Sequence, residues 1–153
     1  MPPYTVQKGM VEIVLNSIDT AVDNQVASGA IAGLCLLVDD SSFVRKIARK
    51  IFAGLGFETD EAENGQIALE KCLTRMPDVV LLDWNMPVMD GLEFLKSLRR
   101  VEGGRNPAVI FCTTETDVDH IQRALANGAN EYLMKPFDQE ALVAKLDMVF
   151  VRK

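Results

Sequence analysis

The sequence contains a single histidine and only three cysteines, which leaves little material for a zinc site or a disulfide framework. An odd number of cysteines cannot pair completely, and no two of them have the C-x-x-C spacing of a zinc or redox site. Cys35, Cys72 and Cys112 each lie among apolar residues, where a free cysteine behaves as a small hydrophobic side chain. We therefore predict three reduced core cysteines and a reducing compartment.

The sequence also lacks any apolar run of about eighteen residues, the length that a membrane-spanning helix needs. Its first residues show neither the basic start nor the unbroken apolar stretch of a secretory signal peptide, so we predict a cytoplasmic protein. Acidic residues outnumber basic ones by 22 to 16, and the net charge of −6 repels nucleic acids and anionic membranes. We expect neither as a partner, whereas clustered carboxylates suit a divalent cation.

From residue 34 onward, short apolar runs alternate with segments of helical periodicity. The runs at 34–38, 79–82 and 108–111 are apolar without alternation, which is typical of parallel strands covered on both faces. Asp90 precedes the third helical segment and is placed to cap it. Five strand–helix units predict an α/β fold over residues 34–153. The expected sheet is doubly wound, parallel and five-stranded in the order 2-1-3-4-5, with five helices, as in flavodoxin-like folds.

Residues 1–33 do not fit this alternation and form a predicted N-terminal extension. Its apolar residues follow helical spacing: Val11, Val14, Leu15, Ile18 and Val22. The segment SGAIAG that follows is similar in composition to a linker. A helix here would serve docking or dimerisation. The alternatives are a loosely attached extension or a start codon assigned too early, and the sequence leaves all three open.

Chemistry is expected where the strands end, because open parallel sheets bind ligands at the carboxyl ends of their strands. Three carboxylates, a hydroxyl and an ammonium group stand at these ends: Asp39, Asp40, Asp83, Thr113 and Lys135. Clustered carboxylates repel one another unless they are protonated or bind a cation, and an all-oxygen set suits Mg²⁺. A carboxylate beside such an ion can attack an activated phosphoryl group. The alternative is that these residues only cap the helices that follow.

Three segments carry a resemblance to a known family: LLVDDSSFVRKIARKIFAGLGF, LLDWNMPVMDGLEFLKSLR and ANEYLMKPF. They resemble the receiver domains of response regulators, most of all the single-domain regulators of the chemotaxis type, over about residues 34–150. The resemblance implies that Asp83 is the phosphoacceptor and that Thr113 and Lys135 contact the phosphoryl group. It also implies Mg²⁺ as the cofactor, with four ligand residues: Asp39, Asp40, Asp83 and, through its backbone carbonyl, Asn85.

The resemblance further implies a cis Lys135–Pro136 bond and a switch in which Tyr132 moves inward as Thr113 shifts. Phosphorylation would then change the face of helix 4, strand 5 and helix 5, where a downstream protein binds. The expected donor is a sensor histidine kinase or a histidine phosphotransfer protein in two-component or phosphorelay signalling. Such a phosphoacceptor is not an enzyme, although it promotes its own phosphotransfer and dephosphorylation. No output domain follows residue 153, so we expect a single-domain regulator.

Three other functions fit parts of the pattern. A phosphatase with an aspartyl nucleophile would carry a second acid two residues after that nucleophile, and Asn85 occupies this position after Asp83. A flavin or nucleotide module would need a phosphate-binding loop after strand 1, where Asp39 and Asp40 repel a phosphate. A receiver-shaped scaffold that is never phosphorylated is the third, and the complete set of strand-end residues argues against it.

Overall fold

A computed structural model describes residues 33–114 and 118–151 as an alternation of five strands and five helices. The strands are β1 (Gly33–Val38), β2 (Phe57–Ala62), β3 (Val79–Asp83), β4 (Ala108–Thr113) and β5 (Glu131–Met134). The helices are α1 (Ser42–Gly54), α2 (Gly65–Thr74), α3 (Gly91–Arg100), α4 (Val118–Ala126) and α5 (Gln139–Val151). The predicted helix and linker of the N-terminal extension lie outside the described residues, and its boundary stays a prediction.

All strand pairs are parallel, and the sheet order is β2-β1-β3-β4-β5. This confirms the predicted topology. The three central strands β1, β3 and β4 are buried almost throughout, as their unbroken apolar runs predict. Strand β2 lies at an edge, and its residues alternate between exposed and less exposed positions, which explains its acidic composition.

The sheet divides the apolar core into two layers, because successive side chains of a strand point to opposite faces. Cys35 and Leu37 of β1 face one layer, which also contains Phe52 of α1 and Leu146 of α5. The neighbouring positions of each strand face the other layer, packed mainly against α2, α3 and α4. Both faces are therefore covered, as the doubly wound prediction requires.

Short polar side chains fix the starts of α1 and α3. Ser41 accepts a hydrogen bond from the backbone N–H of Val44 at 3.2 Å, at the start of α1. At the start of α3, Asp90 accepts from the N–H of Glu93, whose side chain accepts from the N–H of Asp90, which makes a complete capping box. The prediction that Asp90 caps this helix is confirmed.

Among the described residues, no helix combines the length and apolar composition that a membrane crossing needs.

The three cysteines are free and buried, in agreement with their prediction as core residues. Burial raises the pKa of Cys72 and of Cys112 to about 12 and raises that of Cys35 well above its usual value. All three thiols are therefore protonated at neutral pH, and they contribute as apolar groups in the two core layers.

Candidate functional site

The carboxyl ends of four strands bring the predicted side chains to one edge of the sheet. Asp39 follows β1, and its N–H donates to the carbonyl of Ala62 at the end of β2 at 3.1 Å. Asp83 ends β3 opposite Cys112, one residue before Thr113 ends β4. Lys135 follows β5, and its N–H donates to the carbonyl of Thr113 at 2.8 Å. Backbone pairing therefore sets the positions of the polar groups at this edge.

Three carboxylates lie together here. Asp39, Asp40 and Asp83 each offer one oxygen, and these oxygens lie within 4.8 Å of one another. Asp39 and Asp83 are buried, with 6% and 8% of their surface exposed, whereas Asp40 is exposed to solvent. One side of the cluster is consequently open to an incoming ion or phosphoryl group, and the other is closed by the sheet.

Lys135 lies between the two buried carboxylates. Its Nζ donates to Oδ2 of Asp39 at 2.7 Å and to Oδ1 of Asp83 at 3.0 Å. The Lys135 side chain is only 15% exposed, so solvent screens these contacts weakly. The lysine offsets one of the three negative charges, and the cluster keeps a surplus that suits a divalent cation.

The electrostatic environment of the cluster perturbs two pKa values. Burial raises the pKa of Asp83 above its usual value, and the charge of Asp39 raises it further against the opposing effect of Lys135. Burial alone would lower the pKa of Lys135, but its hydrogen bond to Asp39 and the charge of Asp83 outweigh burial and raise it. The ammonium group of Lys135 therefore stays charged, while ionisation of Asp83 is less favourable than that of an ordinary carboxyl group.

Hydrogen bonds to the backbone orient the carboxylates. Oδ1 of Asp39 accepts from the N–H of Ser41 at 2.9 Å, and Oδ1 of Asp83 accepts from the N–H of Trp84 at 2.9 Å. The loop after Asp83 is held by a close approach at Gly91, where a Cβ atom would lie 2.1 Å from the Asp83 carbonyl oxygen. Only glycine fits at this position, which joins the start of α3 to the end of β3.

Comparison with known proteins identifies the family. The model of the response regulator receiver domain matches residues 35–147. The chain belongs to this family. Chemotaxis protein CheY-3 of Vibrio cholerae is 39% identical over 118 residues, which are 76% of this chain and 91% of that protein. Chemotaxis protein CheY of Pseudomonas aeruginosa is 36% identical and covers 76% of this chain and 95% of its own length.

Solved receiver structures show the same fold. CheY4 of Vibrio cholerae superposes with a TM-score of 0.74 at 36% identity, over 78% of this chain and 99% of that one. The receiver domain of the Francisella response regulator 1452 superposes with a TM-score of 0.70 at 28% identity, over 78% of this chain and 98% of that one. The protein is a response regulator of two-component signalling, as its sequence motifs indicate.

The remaining predicted residues of the receiver take distinct positions. Thr113 is buried, with 2% of its surface exposed, at the end of the strand beside Asp83. Tyr132 is half-buried against the layer of α2, α3 and α4, and Nζ of Lys145 lies 4.5 Å from its ring centroid. Asn85 stands exposed in the loop two residues after Asp83. The Lys135–Pro136 bond is cis, which confirms that prediction.

Sequence reasoning missed one contact beside the receiver site. The ring of His120 in α4 lies 4.5 Å from the Trp84 ring, which also packs edge-on against Phe111 at 5.0 Å. No local pattern could have joined them, because the contact depends on how α4 packs over the end of β3.

Proposed function

We propose that this response regulator accepts a phosphoryl group on Asp83, with Mg²⁺ held by Asp39, Asp40, Asp83 and the backbone carbonyl of Asn85. The observation that carries the proposal is the cluster of three carboxylates at the ligand-binding edge of the sheet, two of which pair with the half-buried Lys135. Simple helix capping does not require the carboxylates to converge. Burial and the charge of Asp39 raise the pKa of Asp83, and a bound cation would offset this unfavourable charge.

The side chains fit Mg²⁺ better than a softer metal. All the groups that the cluster offers are oxygen atoms, and Mg²⁺ prefers one or two carboxylates supplemented by water and phosphate oxygens. When bound, the ion supplies positive charge that offsets the repulsion between the carboxylates and the charge of the phosphoryl oxygens. Asp40 is the exposed member and is placed to meet an ion that arrives from solvent.

The transfer step follows from the hydrogen bonds at Asp83. Its Oδ1 accepts from Trp84 and Lys135, which leaves Oδ2 to attack the phosphorus of a phosphohistidine. A new oxygen–phosphorus bond forms as the nitrogen–phosphorus bond of the donor breaks, and the imidazole leaves with the electron pair. Lys135 and the hydroxyl of Thr113 stabilise the phosphoryl oxygens, so the protein contributes mainly position and charge.

The donor is a sensor histidine kinase or a histidine phosphotransfer protein, and the signal leaves through α4, β5 and α5. This face carries exposed apolar residues, with Val118 63% and Leu125 42% exposed on α4, as a protein-binding surface requires. Tyr132 lies in this face under Lys145, whose Nζ also binds Glu131 at 3.0 Å. Inward movement of Tyr132 towards Thr113 breaks the ring contact with Lys145 and so changes the surface that a partner meets.

The test titrates Mg²⁺ and then acetyl phosphate into the full chain, following Trp84 fluorescence and intact mass. We expect a metal-dependent fluorescence change and a labile mass increase of one phosphoryl group, both lost in Asp83→Asn. Asp60→Asn is the matched control. It removes an exposed carboxylate of the edge strand β2, which pairs with Lys71 of α2, and should leave both signals intact. No adduct in the parent protein would refute the proposal and favour a receiver-shaped scaffold that binds partners without phosphorylation.

A further inference from the structure

A basic groove lies at the opposite edge of the sheet from Asp83. It is formed where α3 and α4 end and where the loop before β4 passes between them, and its volume is about 450 Å³. Its charged lining residues are all cations: Lys96, Arg99, Arg100 and Arg105. The net charge of the chain is −6, so the positive charge of this groove is opposite in sign to that of the protein as a whole.

Arg99 has a structural role in the groove, because its guanidinium group is hydrogen-bonded to the surrounding chain. Its guanidinium group donates to the carbonyls of Gly104, Pro107 and Gly128 at 2.8, 2.9 and 2.6 Å. It also donates to Oδ1 of Asn130 at 3.2 Å. These bonds join the end of α3, the loop before β4 and the approach to β5. The floor of the groove is therefore fixed before any ligand arrives, which lowers the entropic cost of binding.

The other three cations are exposed and available. Within residues 33–114 and 118–150, the side chains of Lys96, Arg100 and Arg105 form no ion pair or hydrogen bond. Most other described cations are paired, for example Arg75 with Glu58 at 2.7 Å and Lys71 with Asp60 at 2.8 Å. Lys46 and Lys50 of α1 are also exposed and form no ion pair within the described residues, but they do not line this groove, whereas Lys96, Arg100 and Arg105 do.

Helix electrostatics explains only part of the cluster. Arg99 and Arg100 lie in the last turn of α3, where cations interact favourably with the helix dipole. Arg105 lies in the loop beyond the helix, and Lys96 lies a full turn before its end, so neither position is accounted for in this way. The acidic residue Glu102 lines the neighbouring hollow but does not line the groove itself.

We propose that this groove docks an acidic segment of a partner protein, a run of Asp or Glu residues that pairs with Lys96, Arg100 and Arg105. The observations favour a protein over a nucleic acid, because the net charge of −6 repels a long polyanion. A short segment with a few carboxylates is attracted by the nearby groove cations alone. A chain of carboxylates also matches three separate cations better than one small anion does.

The groove is independent of the phosphoryl site. Helix α3 starts beside Asp83 and ends at Arg100, and its 10 residues span about 15 Å. Screening by physiological salt acts over about 8 Å, so charges bound at the two edges affect each other weakly. A partner docked in the groove therefore leaves Asp83 accessible to its phosphodonor.

The test measures fluorescence anisotropy of a fluorescein-labelled peptide of alternating Glu and Ser residues with the full chain, at low and at physiological salt. The groove variant combines Arg100→Glu with Arg105→Glu. The matched control combines Lys46→Glu with Lys50→Glu, which makes the same charge change at two exposed cations of α1. We expect salt-dependent binding that the groove variant weakens about tenfold and the control changes less than about threefold. Labelling of Asp83 by acetyl phosphate should proceed in both variants.

Four outcomes would overturn the proposal. Absence of binding, or equal weakening by both double variants, would show that the groove is not a specific site. Tighter binding of a single-stranded RNA of the same charge, lost in the groove variant, would assign the groove to nucleic acid. Displacement of the peptide by inorganic phosphate at equimolar concentration would reduce the site to one for a small anion. Circular dichroism of each variant checks that it folds.

Discussion

Replacing the phosphoacceptor by its neutral isostere should stabilise the protein when no metal ion is present. Asp83→Asn removes a charge from a site where burial and Asp39 raise the pKa of the carboxyl group. A carboxylate with a raised pKa in the folded state destabilises that state once the pH exceeds its usual pKa. The penalty is therefore absent in acid, grows as the pH rises above the usual pKa of Asp, and is complete above the raised pKa of the folded state.

The distances give the size of the effect. The oxygens lie within 4.8 Å of one another, so at an effective dielectric constant of about 20 each repulsion by Asp39 or Asp40 costs about 3.5 kcal/mol or more. The attraction between Lys135 and Asp83 at 3.0 Å stabilises the ionised carboxylate by about 5.5 kcal/mol at the same dielectric constant. The two repulsions together exceed the attraction by about 1–2 kcal/mol. Asp83→Asn should raise the free energy of unfolding by about this amount at pH 7, and the gain should disappear as the pH falls below the usual range of Asp.

Mg²⁺ should reverse the order of stability. An ion that binds only the folded state stabilises it by about 2.7 kcal/mol at a hundred times its Kd. The parent protein keeps all three carboxylates and gains this amount, whereas Asp83→Asn loses one ligand and gains less. Urea unfolding of both proteins, with EDTA and with saturating Mg²⁺, measures the two differences.

A control separates the site from general charge. Glu102→Gln makes the same change in net charge on an exposed loop and should alter the free energy of unfolding by less than about 0.5 kcal/mol. Lower stability of Asp83→Asn than of the parent protein in EDTA would refute the electrostatic reasoning. Equal gains from Mg²⁺ in both proteins would remove Asp83 from the set of metal ligands.

Three further predictions follow from contacts of individual residues. Lys135→Ala leaves two buried carboxylates without their cation, so it should lower the free energy of unfolding by about 3–5 kcal/mol in EDTA, and the loss should shrink with Mg²⁺ in urea titrations. Asp90→Ala removes the capping box of α3 and should cost about 1 kcal/mol by the same measurement; an unchanged midpoint would contradict the role of the cap. His120→Ala opens space beside Trp84, which is 8% exposed, and should move its emission to longer wavelength because the indole gains solvent; an unchanged spectrum would show that the ring contact does not shield it.

The sequence predicted the parts of the fold that depend on local signals. The unbroken apolar runs identified the central strands, and Asp90 identified the start of α3, because both effects act within a few residues. The convergence of Asp39, Asp83 and Lys135 was also predictable, since parallel strands align their carboxyl ends.

Contacts between distant segments were not predictable. The sequence did not indicate that Lys135 bonds both buried carboxylates at once, because this depends on side-chain conformations in a shared cavity. The four acceptors of Arg99 come from two loops that follow different helices, and no periodicity links them. The ring contact of His120 with Trp84 depends on helix packing in the same way.

The separation of charge between the two edges of the sheet contributes a permanent electric dipole to the described domain. Carboxylates gather at one edge, around Asp83, and unpaired guanidinium groups gather at the other, around Arg100 and Arg105. In the field of a charged partner such a molecule rotates before it makes contact, so that cationic and anionic surfaces meet opposite ends of it. The orientation of an encounter is then selected during diffusion, and added salt removes that selection.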